Sequence, residues 1–156
     1  MRGKQVKKHV IQPDEIYNSV LVSKLINRVM LDGKKSIAKT IVYKALEDLG
    51  KKTGMDPIRA LEKAIDNVRP KLEVRSRRVG GANYQVPVPV TGDRQLALTL
   101  RWIIGVMRNS RGSKDTWEVL SRELFAAYNG EGEAIRKKED VQRMAESNRA
   151  FAQFAF

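Results

Sequence analysis

Residues 67–90 read NVRPKLEVRSRRVGGANYQVPVPV, and no other stretch restricts the possible folds as tightly. Leu72 and Val74 alternate with Lys71, Glu73, Arg75 and Arg77; Tyr84, Val86, Val88 and Val90 alternate with Gln85, Pro87 and Pro89. Both halves show the period of two that belongs to strands. Gly80, Gly81, Ala82 and Asn83 lie between them and are expected to form the turn. Alternate N–H groups of a strand point to one edge. Pro87 and Pro89 therefore remove donors from a single edge, expected to be the unpaired one, which keeps a further strand from adding there. The outcome is an isolated two-stranded arm, marginal alone and in need of packing or a ligand. Its first strand and turn, with the approach to them, carry Arg69, Lys71, Arg75, Arg77 and Arg78 against one acid, Glu73. That composition suits contact with nucleic-acid phosphate.

The chain has 156 residues, which suits one domain over 1–156. Lysine and arginine number 30 against 18 acids, a net charge of +12. A polyanionic partner follows, nucleic acid ahead of an anionic membrane. No apolar run nears the roughly 20 residues of a membrane span, and residues 102–107 are the longest. No apolar segment follows Met1, Arg2, Gly3 and Lys4, so no signal peptide is expected and the location is expected to be cytoplasmic. With no cysteine and one histidine, His9, a zinc site would have to be built from carboxylates around that histidine; no metal, cofactor or catalytic residue is expected. Gly33, Lys34, Lys35 and Ser36 suggest a phosphate loop, but Arg28 stands where the first glycine is needed and a helix precedes it.

Residues 1–10 carry Arg2, Lys4, Lys7 and Lys8 with no acid, and are read as an arm that orders on a partner. A first helix is expected over 19–31, with Leu21, Val22, Leu25, Ile26 and Val29 on one face and Asp32 and Gly33 as its stop. A second, N-capped by Ser36, buries Ile37, Ile41, Ala45, Leu46 and Leu49 and stops at Gly50, leaving 51–54 as a loop. A third begins at Asp56 and Pro57, buries Ile58, Leu61, Ala64, Ile65 and Val68, and is closed by Pro70. A fourth covers 93–109, with Leu96, Leu100, Ile103 and Met107 inside. Arg94, Arg101 and Arg108 fall opposite, roughly 10.5 Å apart in succession. Acids are missing from this stripe and Arg111 and Lys114 extend it, so it is read as facing phosphate. A fifth helix, capped by Ser113, buries Trp117, Leu120, Leu124 and Tyr128 and ends at Asn129 and Gly130; both Trp102 and Trp117 are read as core. The sixth, 133–149, has a thin apolar face of Ala134, Val141 and Ala145 and carries Arg136, Lys137, Lys138, Arg143 and Arg149. It is expected to project, with the tail making up the rest of 133–156, whose phenylalanines need a partner or fold back. The expected fold is mainly α: a six-helix bundle with a two-stranded antiparallel β-ribbon, 71–90, between helices 3 and 4.

The order of motifs closely resembles the bacterial small-subunit ribosomal protein seven family, over essentially the whole chain. The resemblance rests on Ser19, Leu21, Leu25 and Ile26, then Gly33, Lys34 and Lys35, then Ile41, Val42 and Ala45 at the family spacing. It rests also on Asn67 to Pro70, Arg75 to Ala82 and Tyr84 to Pro87. The end of the chain adds Lys138 to Asp140, Arg143 to Glu146 and Asn148 to Phe151. It implies a non-enzymatic part of the small subunit that binds the 3′ major domain of 16S ribosomal RNA and nucleates folding of the subunit head. It also implies proximity to exit-site transfer RNA and the messenger exit path, and ribosomal proteins nine and eleven as neighbours. The charge pattern and the resemblance together give as expected rRNA contacts Arg2, Lys4, Lys7, Lys8, Lys34, Lys35, Arg69, Lys71, Arg75, Arg77, Arg78, Arg94, Arg101, Arg108, Arg111 and Lys114. Those near transfer RNA are Arg78, Gly81, Asn83, Tyr84, Arg143 and Arg149. Many relatives end His-Tyr-Arg-Trp, whereas this chain ends Gln153, Phe154, Ala155, Phe156, losing a basic group and a donor-bearing aromatic.

Two other classes compete. Architectural DNA-binding proteins also carry basic β-ribbons, but their wedge prolines sit at the tip, and Pro87 and Pro89 lie well below the turn. An RNA-modifying enzyme would need a catalytic constellation, and none is legible.

Overall fold

The computed structural model describes residues 10–154. Six α-helices, α1 (Val20–Val29), α2 (Lys35–Thr53), α3 (Pro57–Val68), α4 (Gly92–Asn109), α5 (Thr116–Tyr128) and α6 (Glu133–Ser147), surround a core, and a 3-10 helix, Arg149–Phe154, follows them. Between α3 and α4 runs one antiparallel ribbon, β1 (Leu72–Val79) and β2 (Ala82–Pro89). The fold is thus mainly helical with the inserted ribbon, as the sequence implies. No helix among the described residues is long and apolar enough to cross a membrane.

The core is made by Val22, Leu25 and Ile26 of α1, Val42, Leu46 and Leu49 of α2, Leu61, Ile65 and Val68 of α3, Ile103 of α4, and Leu120 and Leu124 of α5, nearly all fully excluded from solvent. Within α1, α2, α3 and α5 these residues recur at three- and four-residue spacing, and on α4 Leu100 and Met107 flank Ile103 in the same way, so one stripe of each helix faces inward. Trp102 and Trp117 pack against this core, as expected. The α3 start follows its sequence signal: the Asp56 carboxylate accepts the N–H of Arg59 at 3.2 Å, and Pro57 opens the helix. Asn129 caps α5, as expected.

Several boundaries differ from the sequence reading. Helix α1 stops at Val29, before Asp32 and Gly33, which instead form a turn with φ of 50° and 72°. That turn is tight enough for α2 to begin at Lys35, so Ser36 lies inside the helix and caps nothing. Gly50 does not end α2. A Cβ there would lie 2.9 Å from Cγ of Pro57, so this glycine lets the start of α3 approach; the stop is Gly54, with φ 65°. Ala45, Leu46 and Leu49 of α2 are buried as expected and Ile41 packs against the core, but in the first turn Ala38 is buried and Ile37 is 57% exposed. Helix α5 starts at Thr116 with Asp115 before it, not at Ser113.

The segment ahead of α1 is held by a polar cluster. Asp14 accepts the Tyr43 hydroxyl at 2.7 Å and the N–H groups of Ile16 and Tyr17. Burial alone would raise the Asp14 carboxyl, but these hydrogen bonds outweigh it and hold it below its ordinary value. Burial, then the bond to Asp14, pushes the Tyr43 phenol up to about 12.

Candidate nucleic-acid interface

The ribbon turns on two residues, Gly80 and Gly81, with φ of 59° and 90°, the positive angles that a two-residue hairpin demands. Ala82 and Asn83, expected in the turn, are instead paired with Val79 and Arg78. Val90 donates to the Lys71 carbonyl at 3.0 Å, which fixes the odd-numbered positions of β1 as the hydrogen-bonded ones. Pro87 and Pro89 stand opposite Val74 and Leu72. Their nitrogens therefore face the outer edge, as the sequence requires.

The ribbon is not an isolated arm. Its base is fastened to α4 by Glu73, whose side chain is only 8% exposed. One Glu73 oxygen pairs with Arg75, and the other accepts Nε and Nη2 of Arg94 at 3.0 and 2.9 Å. Two half-exposed guanidiniums thus share one carboxylate, a geometry suited to the fork of arginine. Gln95 adds a bond to the Pro70 carbonyl at 3.1 Å. Farther out, Tyr84 packs against both Phe151 and Phe154, with ring centroids 5.2 and 5.3 Å away. The tail has folded back on the ribbon, one of the two outcomes its aromatics allowed. Tyr84 is therefore covered by phenylalanines on the side where the tail lies.

The arginine stripe of α4 is exposed along its whole length, but its members differ. Arg94 is tied to Glu73. Arg108 donates to the Arg28 carbonyl at 3.3 Å, at the end of α1. Arg101 between them makes no ion pair among the described residues. The stripe thus runs about 21 Å, at 1.5 Å per residue, from the ribbon base to the turn between α1 and α2. There Lys34, Arg108 and Arg111 rim a groove of about 510 Å³ floored by Met30, Ile37, Ile41 and Met107. Lys35, next in sequence, leaves this group; it lines a separate cleft with Asp14, Glu15 and Lys39. Lys114 follows in the loop between α4 and α5, where its N–H donates to the Arg111 carbonyl at 3.1 Å.

The remaining candidates divide likewise. Arg69 caps α3 and pairs with Asp66 at 3.2 Å, so it is held locally. Lys71 and Arg78 are exposed on the ribbon, and Arg77 pairs across it with Tyr84. Gly81 and Asn83 are exposed at its tip. Arg143 lies 3.6 Å from Asp140 on α6, and Arg149 is exposed at the start of the 3-10 helix. Arg2, Lys4, Lys7, Lys8 and His9 lie outside the described residues, as do Ala155 and Phe156.

Helix α6 is bound to the body by contacts that sequence could not supply. The buried Glu123 carboxylate accepts the N–H of Ala134 at 2.9 Å at the first turn of α6, and burial pushes that carboxyl up. Lys138 donates to the Asn67 carbonyl at 2.6 Å, while the Asn67 amide donates to the carbonyls of Ala127 and Tyr128 at 2.9 and 3.0 Å. Asn67, which opens the ribbon motif, thus closes the end of α5 and receives α6. Among the described residues no cluster of His, Asp or Glu could hold a metal ion. The surface offers exposed cations along α4, the ribbon and the α1–α2 turn, which is the chemistry of phosphate contact.

A family model described as ribosomal protein S7p/S5e matches residues 1–149. The small ribosomal subunit protein uS7 of Thermosipho africanus (strain TCF52B) is 59% identical over 154 residues, covering 99% of each chain. That of Kosmotoga olearia is 57% identical over the same length and coverage. That of Nitratidesulfovibrio vulgaris (strain DP4) is 55% identical over 149 residues, 96% of this chain and 95% of the relative.

Proposed function

This chain belongs to the ribosomal protein S7p/S5e family, and on that premise we propose that it binds the 3′ major domain of 16S ribosomal RNA and nucleates folding of the subunit head. As a member of the family it is a structural, non-enzymatic component of the small ribosomal subunit, with ribosomal RNA and other ribosomal proteins as partners. The observation that supports the finer reading is the 21 Å track of arginines on α4, about that length at 1.5 Å per residue, joined at one end to the ribbon and at the other to the α1–α2 turn. A junction of folded RNA brings phosphates of several strands together, and a rigid surface bearing cations on three elements offsets their repulsion.

In this reading Lys34, Arg101, Arg108, Arg111 and Lys114 contact rRNA from one face, and Lys71, Arg75, Arg77, Arg78 and Arg94 from the ribbon and its base. Arg2, Lys4, Lys7 and Lys8 reach it from the N-terminal segment; Lys35 and Arg69 contribute at the margins. Gly81, Asn83, Arg78 and Tyr84 at the ribbon, with Arg143 and Arg149, stand near exit-site transfer RNA and the messenger path, and proteins nine and eleven are neighbours. The whole of 1–156 acts as one RNA-binding domain.

The test is binding of the full-length chain to a transcript of the 3′ major domain across a salt series. With on the order of 6–10 phosphate contacts, affinity should fall by about 10³–10⁵ between 50 and 200 mM salt, somewhat less where the RNA is single-stranded. A dissociation constant nearly independent of salt, or equal affinity for duplex DNA, refutes it.

A further inference from the structure

We infer that the groove between the α1–α2 turn and the end of α4 holds one unstacked RNA base, with the phosphates on either side of that base on its cationic rim. This deepens the reading of the chain as an rRNA binder and depends on it. Leu31 and Ile37 are 58% and 57% exposed and both line this groove, which puts two large apolar side chains in solvent side by side with the cations of its rim. The cavity of about 510 Å³ lies within the range that ligand pockets occupy, roughly 300–1,000 Å³. Met30, Ile41 and Met107 give it a floor of aliphatic and thioether groups, soft enough to fit a flat ring.

Charge selects the occupant. Lys34 and Arg111 are exposed on the rim and make no ion pair among the described residues, and Arg108 sits beside them. One carboxylate, Asp32, shares the lining. An adjoining depression of about 310 Å³ shares Ile37, Ile41 and Arg111 and adds Lys44 and Trp117, whose indole N–H donates to Asp115 at 3.2 Å. Apolar floors flanked by cations, on the same line as Arg101, fit a strand whose backbone follows the arginines and whose base leaves the stack. A paired base cannot enter, so the occupant belongs to a loop, bulge or junction, where RNA presents unstacked bases to proteins. The guanidiniums of Arg108 and Arg111 can cover the ring face that the floor does not.

The experiment uses the full chain and the 3′-major-domain transcript. Ile37→Ala with Leu31→Ala removes exposed side chains, so the melting temperature should stay within about 2 °C of the parent. Affinity should drop roughly tenfold at every salt concentration, with the log–log salt slope unchanged, because losing an apolar contact returns no counterion. Arg111→Ala should instead make the slope shallower by about one phosphate. A benzophenone amino acid in place of Ile37 should crosslink to one unpaired nucleotide. Unchanged affinity of the apolar double variant, or a crosslink to a base-paired nucleotide, overturns the base slot while leaving the rRNA reading intact. A crosslink in reconstituted subunits to a protein instead of RNA does the same. If Arg111→Ala and Arg101→Ala also leave affinity and slope untouched, the rRNA reading of this face falls with it.

Discussion

Arg94 and Arg101 occupy equivalent places on the α4 stripe, yet the structure predicts that their removal has different consequences. Arg94 shares the buried Glu73 carboxylate with Arg75. Removing one partner of a fully buried pair costs about 3–5 kcal/mol. Here the Arg94 and Arg75 side chains are 46% and 50% exposed, and Arg75 remains to neutralise the acid. Solvent screening of the exposed half and the surviving partner reduce the figure to about 1–2 kcal/mol. At about 2–4 °C per kcal/mol for a chain of this size, Arg94→Ala should lower the melting temperature by roughly 2–8 °C. Arg101→Ala, at an exposed position in a helix where alanine is favourable, should stay within about 0.5 kcal/mol of the parent. Both should weaken RNA binding and reduce the salt slope by about one phosphate each. Because Glu73→Gln cuts the same link, Arg94→Ala and Glu73→Gln together should destabilise much less than the sum of the two. Thermal melts and filter binding on the same preparations decide the matter. If Arg94→Ala melts with the parent, or the two changes add fully, the Glu73 link does not hold the ribbon to α4.

Tyr84→Ala removes the ring packed on Phe151 and Phe154; it should speed exchange of the ribbon amides on either side of position 84 and free the tail, with a loss of about 1–3 kcal/mol locally, and unchanged exchange would show the clasp to be inert. Gly50→Ala gains about 1 kcal/mol of helix propensity but puts a methyl 2.9 Å from the Pro57 ring; urea unfolding should show a net destabilisation of about 1–2 kcal/mol, and a stabilised variant would contradict the packing. Asp48 is held below its ordinary value by hydrogen bonds from Lys52 at 2.5 Å and from Ser121 at 2.5 Å. A depressed folded pKa gives stability that is present above the unfolded value near 3.8 and is lost as pH falls through the folded value. Asp48→Asn should therefore flatten the acid limb of the stability profile below about pH 5; an acid limb identical to the parent's counts against it.

Periodicity and punctuation carried much of the fold into the sequence. Asp56 and Pro57 open α3, Asn129 closes α5, and the alternation of residues 72–90 sets a ribbon whose proline nitrogens lie on its unpaired edge. These are local effects, decided by the φ and hydrogen-bonding limits of a few neighbouring residues. The positive charge and the missing cysteines likewise narrow the chemistry, and the motif order points to the family. What local rules could not supply was which of two competing surfaces turns inward and which charges find partners. Ile37 and Ala38 are both tolerated in a helix, and only the packing of α2 against α1, α3 and α5 buries the alanine and leaves the isoleucine in the groove. Gly50 looks like a stop until α3 is seen to cross it. Glu73, the one acid of a basic ribbon, reads as an exception in sequence and becomes its anchor once Arg94, 21 residues later, is brought beside it. Long-range pairs of this kind depend on where elements dock, and docking is settled by the burial of all the helices together, not by any segment alone.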